Sequence, residues 1–140
     1  MNKPLTPHGP RFRFLDSFEC LDTKGIGTWH LDRNLWFFKD HFPGNPIAPA
    51  ALLMEFAAQA AGALWMRGCG EPDAALFVAS IDAMRIQSAA LPDDSLTATT
   101  TLVKELGPLA QFEFEITAGQ RAVAKGRITL SRQLARSEAG

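Results

Sequence analysis

The sequence is poor in cysteine, histidine and net charge, and each shortage excludes a class of protein. Two cysteines in 140 residues are too few for a disulfide framework, and no C-x-x-C pair of the zinc-site type is present. We therefore expect a reducing compartment, the cytoplasm. Three scattered histidines without ligand spacing predict no metal site. A net charge of -1 argues against nucleic-acid binding through bulk electrostatics.

Apolar runs are also missing where a secreted or membrane-spanning protein has them. The first ten residues, "MNKPLTPHGP", have no apolar segment behind Lys3, so they do not read as a secretion signal. The most apolar stretch runs from Ile47 to Met66, but Glu55 and Gln59 interrupt it, which makes it a poor membrane span. The chain is long enough for one hydrophobic core. We predict a single domain with a core helix.

The pattern of residues divides the chain into an arm, a domain and a tail. Residues 1–11 are rich in proline and have no regular period, so we expect a flexible arm, and residues 134–140 form a polar tail. The single domain is predicted over residues 12–133. Its strand-like runs are "FRFLDSFECL", "IGTWHLD", "LFVASIDAMRIQ", "SLTATTTLVKEL", "AQFEFEIT" and "RAVAKGRITLSR".

Between the second and third of these runs lie an aromatic loop and one long helix. The loop "NLWFFKDHFPGNP" is rich in turn residues. Pro49 suits the first turn of a helix, and Ala50 to Arg67 are good or acceptable helix formers apart from Gly62. This helix is apolar on nearly every side, so we expect it to be enclosed. The order of two strands, a helix and four strands with short links predicts an α+β fold, an antiparallel sheet wrapped around one helix.

The predicted helix contains a polar stripe made by Glu55 and Gln59, which are four residues apart and share one face. Two interpretations are open. In the first, the stripe has only a structural role: it faces solvent through a gap in the sheet, or Glu55 is neutralised by an arginine such as Arg85. Alternatively, Glu55 lines a pocket, where apolar surroundings keep a carboxyl group able to donate a proton near neutral pH.

His41 allows the same two kinds of interpretation. Beside Phe37, Phe38 and Phe42 it can be a packed residue with one hydrogen bond. Its position shortly before the start of the helix that carries Glu55 favours general acid and base chemistry on an apolar substrate. The first N–H groups of that helix, notably that of Ala50, can hold a carbonyl oxygen at the positive helix end. No role is predicted for the other two histidines, at positions 8 and 30.

The stretch "HFPGNPIAPAALLMEFAAQ" closely resembles the signature of the beta-hydroxyacyl-acyl-carrier-protein dehydratases of fatty acid synthesis. Their pattern reads H-F-P-G-x-P-[IV]-M-P-G, then an acid fourteen residues after the histidine, then Gln four later. His41, Glu55 and Gln59 keep that spacing. The resemblance extends to "FRFLDSF" and "ASIDAMRIQSAALPDDSL". The sequence departs from the pattern at Ala48-Pro49-Ala50, where the family has Met-Pro-Gly, and at Pro92-Asp93-Asp94, where it has Pro-Gly-Asp.

The resemblance implies a hotdog fold and a homodimer or higher homo-oligomer, with each active site taking its histidine from one chain and its acid from the other. It implies that His41 removes the C2 proton of a 3-hydroxyacyl thioester borne by acyl carrier protein. Glu55 would help the C3 hydroxyl leave as water, and the Ala50 N–H would polarise the thioester carbonyl. Gln59, Phe42 and Pro49 are expected to contact substrate. No cofactor is expected.

Two other functions remain open at this point. A hotdog thioesterase also places a carboxylate on the central helix, although the histidine and its Pro-Gly loop favour elimination. A non-catalytic acyl-binding subunit of a dehydratase heterodimer is the second alternative, and the altered Ala48-Pro49-Ala50 segment supports it.

Overall fold

The protein consists of one antiparallel sheet packed against one long helix, as the strand and helix patterns predict. The computed structural model describes residues 6–69 and 75–133. The elements are a short 3-10 helix (Pro10–Phe12), β1 (Ser17–Leu21), β2 (Lys24–His30), α1 (Ala50–Cys69), β3 (Ala75–Ile86), β4 (Ser95–Leu106), β5 (Leu109–Ala118) and β6 (Arg121–Gln133).

The six strands lie in the order β1-β2-β4-β5-β6-β3, and every neighbouring pair is antiparallel. The two outer strands differ in length, because β1 has 5 residues and β3 has 12. β3 also exposes three large apolar side chains, those of Phe77, Ile81 and Ile86. A long apolar edge strand is a template for pairing with another chain, so the sheet ends in a strand suited to association.

The core lies between the inner face of the sheet and the helix. On β5, Phe112, Phe114 and Ile116 are buried while Glu113 and Glu115 are exposed, which confirms the period-two pattern of the sequence. Opposite them, the helix buries an unbroken run from Phe56 to Ala63. The prediction of an enclosed helix is therefore confirmed.

Helix α1 starts where the sequence predicts but runs two residues further than Arg67. The Pro49 carbonyl accepts hydrogen bonds from the N–H groups of Leu52 (3.0 Å) and Leu53 (3.2 Å). Pro49 is thus the capping residue immediately before the first turn, where its missing N–H costs no helical hydrogen bond. Residues 31–49, which include the predicted loop at 34–46, contain turns and bends but neither helix nor strand.

The first strand is shorter than predicted. The run from Phe12 to Leu21 has a strand-like pattern, but β1 begins only at Ser17. The N–H of Phe14 donates to the Gln59 side-chain oxygen (2.8 Å), and the carbonyl of Phe12 accepts from the same side chain (2.9 Å). Because the helix takes these backbone groups, they do not pair with β2.

The part of the arm that the structure describes lies against the domain. Thr6 is buried, and the Arg13 guanidinium donates to the carbonyl of His8 (2.7 Å). The flexibility of residues 1–11 in solution stays a prediction, as do the bounds 12–133 of the domain. Residues 1–5, residues 70–74 and the predicted tail at residues 134–140 lie outside the described residues. Over the described ranges, no helix is both long and apolar enough to cross a lipid bilayer.

Candidate active site

His41 is fixed by hydrogen bonds at three of its atoms. Its backbone N–H donates to the Phe37 carbonyl (2.9 Å), and its carbonyl accepts from the Ile47 N–H (3.1 Å). The ring nitrogen Nδ1 lies 3.1 Å from the Ile47 carbonyl oxygen. Because a carbonyl oxygen only accepts hydrogen bonds, Nδ1 must carry the hydrogen, which leaves Nε2 with a free lone pair in the neutral ring. The loop thus presents a histidine in the tautomer that a general base requires.

His41 opens into a cavity of about 370 Å³ at the start of the helix. Ala48, Ala50 and Leu53 form one wall, and residues 86–90, which begin with the last residue of β3, form the other. Ala50 is the first helical residue, so its N–H has no partner within the helix and lies at the positive end of the helix dipole. It is not among the residues with positive φ, so alanine fits this position without backbone strain.

The cavity wall after β3 is held by an arginine that the sequence did not single out. Arg121 donates to the Ser88 hydroxyl (2.9 Å) and the Ala89 carbonyl (2.6 Å), and it forms an ion pair with Asp94. The N–H of Ala48 donates to the carbonyl of residue 90 at 2.8 Å. The segment from Ser88 to Asp94 is therefore tied both to the start of β6 and to the loop that carries His41.

Phe42 and Pro49 were predicted to contact substrate, and neither belongs to the wall of the His41 cavity. The Phe42 ring lies against the His41 ring, with centroids 4.5 Å apart, and is largely exposed. Pro49 caps the helix. Their contact with substrate stays a prediction.

Glu55 lines a second cavity, of about 290 Å³, on the face of the helix towards β3 and β6. Its wall is largely apolar, and its ionisable members are Glu55 and His8. The Glu55 side chain is 19% exposed. The lining residues are Thr6, Pro7, His8, Met54, Glu55, Ala58, Gln59, Gly62, Ala63, Met66, Leu76, Phe77, Val78 and Leu130.

The contacts of the Glu55 carboxylate are made through one oxygen. Oε1 accepts a hydrogen bond from the Gln59 amide (3.2 Å) and lies 3.3 Å from Nε2 of His8. Arg85, the arginine considered from the sequence, lies instead in an exposed groove with Glu113 and Lys125. Glu55 is thus a pocket carboxylate whose neighbours are an amide and an imidazole.

Gln59 is buried and its polar atoms are fully engaged. Its oxygen accepts from the Phe14 N–H, and its NH₂ group donates to the Phe12 carbonyl and to Glu55. These bonds fasten the N-terminal segment to the helix and restrain the Glu55 side chain. Direct contact of Gln59 with substrate stays a prediction.

The two cavities do not meet within one chain. The His41 cavity includes Ile86 at the end of β3, whereas the Glu55 cavity includes Leu76 near the start of that strand. Ten residues of extended strand separate these positions by about 33 Å. A single chain therefore presents His41 and Glu55 in two separate cavities that share no lining residue.

No group of three or more His, Cys, Asp or Glu residues able to hold a metal ion occurs in the described part of the chain. The expectation that the protein needs no cofactor stays a prediction.

Comparison with known proteins places this fold and these motifs in a family. The ApeI-like family model, described as ApeI dehydratase, matches residues 21–127. One relative is the 3-hydroxyacyl-[acyl-carrier-protein] dehydratase FabZ of Lactococcus lactis subsp. cremoris strain SK11. It is 31% identical over 126 residues, which cover 89% of this chain and 88% of the relative. FabZ of Streptococcus pneumoniae strain Hungary19A-6 is 33% identical over 95 residues, 68% of each chain.

Solved structures agree on the fold. The Dehydratase Heterocomplex ApeI:P from Xenorhabdus doucetiae superposes with a TM-score of 0.78 at 19% identity, covering 94% of this chain and 90% of that one. The PaaI protein of Escherichia coli gives a TM-score of 0.63 at 17% identity, covering 84% and 79%. The chain belongs to the ApeI-like dehydratase family, and the predicted hotdog fold and dehydratase resemblance are confirmed.

Three parts of the site were not predicted from the sequence. These are the contact of His8 with Glu55, the cavity wall at residues 86–90, and the hydrogen bonds by which Arg121 holds that wall. His8 lies 47 positions before Glu55 in a segment without periodicity. The hydrogen bonds of Gln59 to the backbone of Phe12 and Phe14 hold that segment on the helix, and no local pattern encodes them.

Proposed function

We propose that this chain dehydrates a 3-hydroxyacyl thioester carried by acyl carrier protein to the trans-2-enoyl thioester and water. One observation carries the proposal. His41, whose Nε2 has a free lone pair, lines one cavity together with the first residue of the helix, and Glu55 presents a carboxyl group in a second, largely apolar cavity. Elimination needs this pair of a base and an acid. The FabZ relatives carry names for the same reaction.

Each group has one task in the elimination. Nε2 of His41 takes the C2 proton, and the electrons of that C–H bond form the C2=C3 double bond. The C3–O bond breaks as the Glu55 carboxyl group gives its proton to the leaving hydroxyl, which departs as water. The Ala50 N–H donates to the thioester carbonyl oxygen, where negative charge develops. Return of a proton from His41 to Glu55, through solvent, restores both groups.

We infer that the complete site forms between two chains. If β3 pairs with β3 of a second copy in the antiparallel sense about a centre near Ile81, residue 86 of one copy comes opposite residue 76 of the other. This pairing brings the His41 cavity of one chain next to the Glu55 cavity of its partner. The exposed apolar side chains of β3 support it. This pairing uses β3 in both chains, so we propose a second copy of this chain as the partner. The Xenorhabdus doucetiae neighbour, in contrast, is a heterocomplex.

A charged side chain in the middle of β3 should therefore dissociate the dimer into monomers. We expect the parent protein to sediment as a dimer at micromolar concentration, and Ile81→Lys to sediment as a monomer with little turnover. Lysine on an edge strand opposes pairing. Leu106→Lys is the control, because Leu106 is more exposed than Ile81 and lies at the β4–β5 turn. A monomeric parent, or a dimeric and active Ile81→Lys, would contradict the shared site.

Incubation with a 3-hydroxyacyl thioester on acyl carrier protein tests the reaction. We expect the enoyl thioester, seen by its ultraviolet absorbance, without release of free thiol. Free thiol in place of the enoyl product would identify a thioesterase. One solved structure of similar fold, from Streptococcus pneumoniae, is named a hypothetical thioesterase. Binding without any product would indicate a non-catalytic subunit.

A further inference from the structure

His8 stands out because it touches the proposed acid and has no assigned role. Its Nε2 lies 3.3 Å from Oε1 of Glu55, in a cavity where these two are the ionisable lining residues. The other lining residues, from the N-terminal segment, helix α1, β3 and β6, carry no charge. Across the described residues, His8 Nδ1 is buried and has no hydrogen-bond partner.

The placement of His8 is built into the fold at several points. The Arg13 guanidinium donates to its carbonyl, and its own N–H donates to the Thr6 hydroxyl (3.4 Å). The chain that follows is fastened by Gln59, the residue that also donates to Glu55. The helical turn from Glu55 to Gln59 therefore carries the acid and also binds the N-terminal segment that brings the His8 imidazole to it.

The hydrogens in this cluster follow from the partners available. Nε2 of His8 faces a carboxylate oxygen, which accepts hydrogen bonds, so the neutral ring carries its hydrogen there and leaves Nδ1 bare. Oε1 of Glu55 then accepts a hydrogen bond from Gln59 and lies at ion-pair distance from Nε2 of His8. An oxygen with an N–H group on each side is the poorer site for the acid proton. The proton of the neutral carboxyl group is thereby directed to Oε2.

We propose that His8 is a positioning residue for Glu55: together with Gln59 it occupies Oε1, so that Oε2 carries the proton given to the leaving hydroxyl. The proposal rests on the dehydratase function proposed above. It goes beyond that function because it assigns to the N-terminal segment a part in the chemistry of the helix acid. Without His8, the carboxyl group can rotate and place its proton away from the substrate.

Two substitutions separate this role from packing. His8→Phe keeps a ring but has no polar nitrogen, and we expect kcat to fall about tenfold, the scale of one polar contact to an ionisable group, with KM nearly unchanged. His8→Gln retains an N–H near the position of Nε2 and should recover most of kcat. His30→Phe is the matched control, because His30 is exposed on β2 and bonds Ser95 outside both cavities. Its kcat should equal that of the parent.

A double-mutant cycle shows whether His8 acts through Glu55. In a Glu55→Gln background, His8→Phe should change the residual turnover by less than about twofold, because residues that act as a unit are not additive. Equal losses in both backgrounds, a kcat of His8→Phe within about twofold of the parent, or a rise in KM alone would overturn the proposal. Failure of the parent protein to form enoyl product would instead overturn the proposed function itself.

Discussion

Glu55→Gln is expected to lose at least about a hundredfold in turnover, the scale of one general acid or base, while remaining no less stable than the parent. The variant removes the transferable proton and little else. Oε1 accepts from Gln59 and lies beside His8, and the carbonyl oxygen of a glutamine can take both contacts. A glutamine also cannot ionise in the apolar cavity, where an ionised carboxylate is costly. Turnover and thermal melts on the same preparation test the two halves together.

A structural role for Glu55 would produce the opposite pattern. If its charge balanced a buried cation, the variant would lose about 3 to 5 kcal/mol of stability, and its activity would fall only with the amount of folded protein. An active but unstable Glu55→Gln would end the catalytic assignment. Glu113→Gln serves as control, because Glu113 is an exposed carboxylate on β5 paired with Arg127. It should leave turnover unchanged.

Removal of the His41 imidazole should abolish dehydration with the fold and the dimer intact. His41→Ala deletes the base, and we expect a loss of about a hundredfold to ten-thousandfold. His41→Asn is the sharper variant, because its side-chain NH₂ lies near the position of Nδ1 and can still donate to the Ile47 carbonyl. It therefore keeps the loop contact and lacks the base.

The two His41 variants distinguish chemistry from packing. If His41 matters as a base, His41→Asn is as inactive as His41→Ala and melts like the parent. If His41 is only a packed residue, His41→Asn keeps most of the activity. His30→Asn, an exposed histidine substituted in the same way, should behave like the parent in turnover and sedimentation.

The elements of this fold could be predicted because their patterns are local. The alternation of Phe112, Phe114 and Ile116 with acidic residues marks a half-buried strand, and the apolar run after Pro49 marks an enclosed helix. The spacing of His41 and Glu55 carries the family resemblance without any knowledge of the fold. Short-range periodicity and motif spacing are both visible in one sequence.

The features that could not be predicted depend on contacts between distant segments. The strand pattern from Phe12 fails before Ser17 because Gln59, far along the chain, binds the backbone there. His8 meets Glu55 through the same contact. The proposed pairing of β3 with β3 depends on β3 being an outer strand of the sheet, and strand order is set by tertiary pairing.

Mixing two inactive variants tests the central claim, that His41 of one copy and Glu55 of another form one dehydratase site. His41→Asn and Glu55→Gln are combined and allowed to exchange subunits, with a tag on one variant to show that the two copurify. Random exchange makes about half of the dimers mixed, each with one complete site of two, so we expect about one quarter of parental turnover. Copurification with turnover no higher than that of the separate variants would contradict the shared site.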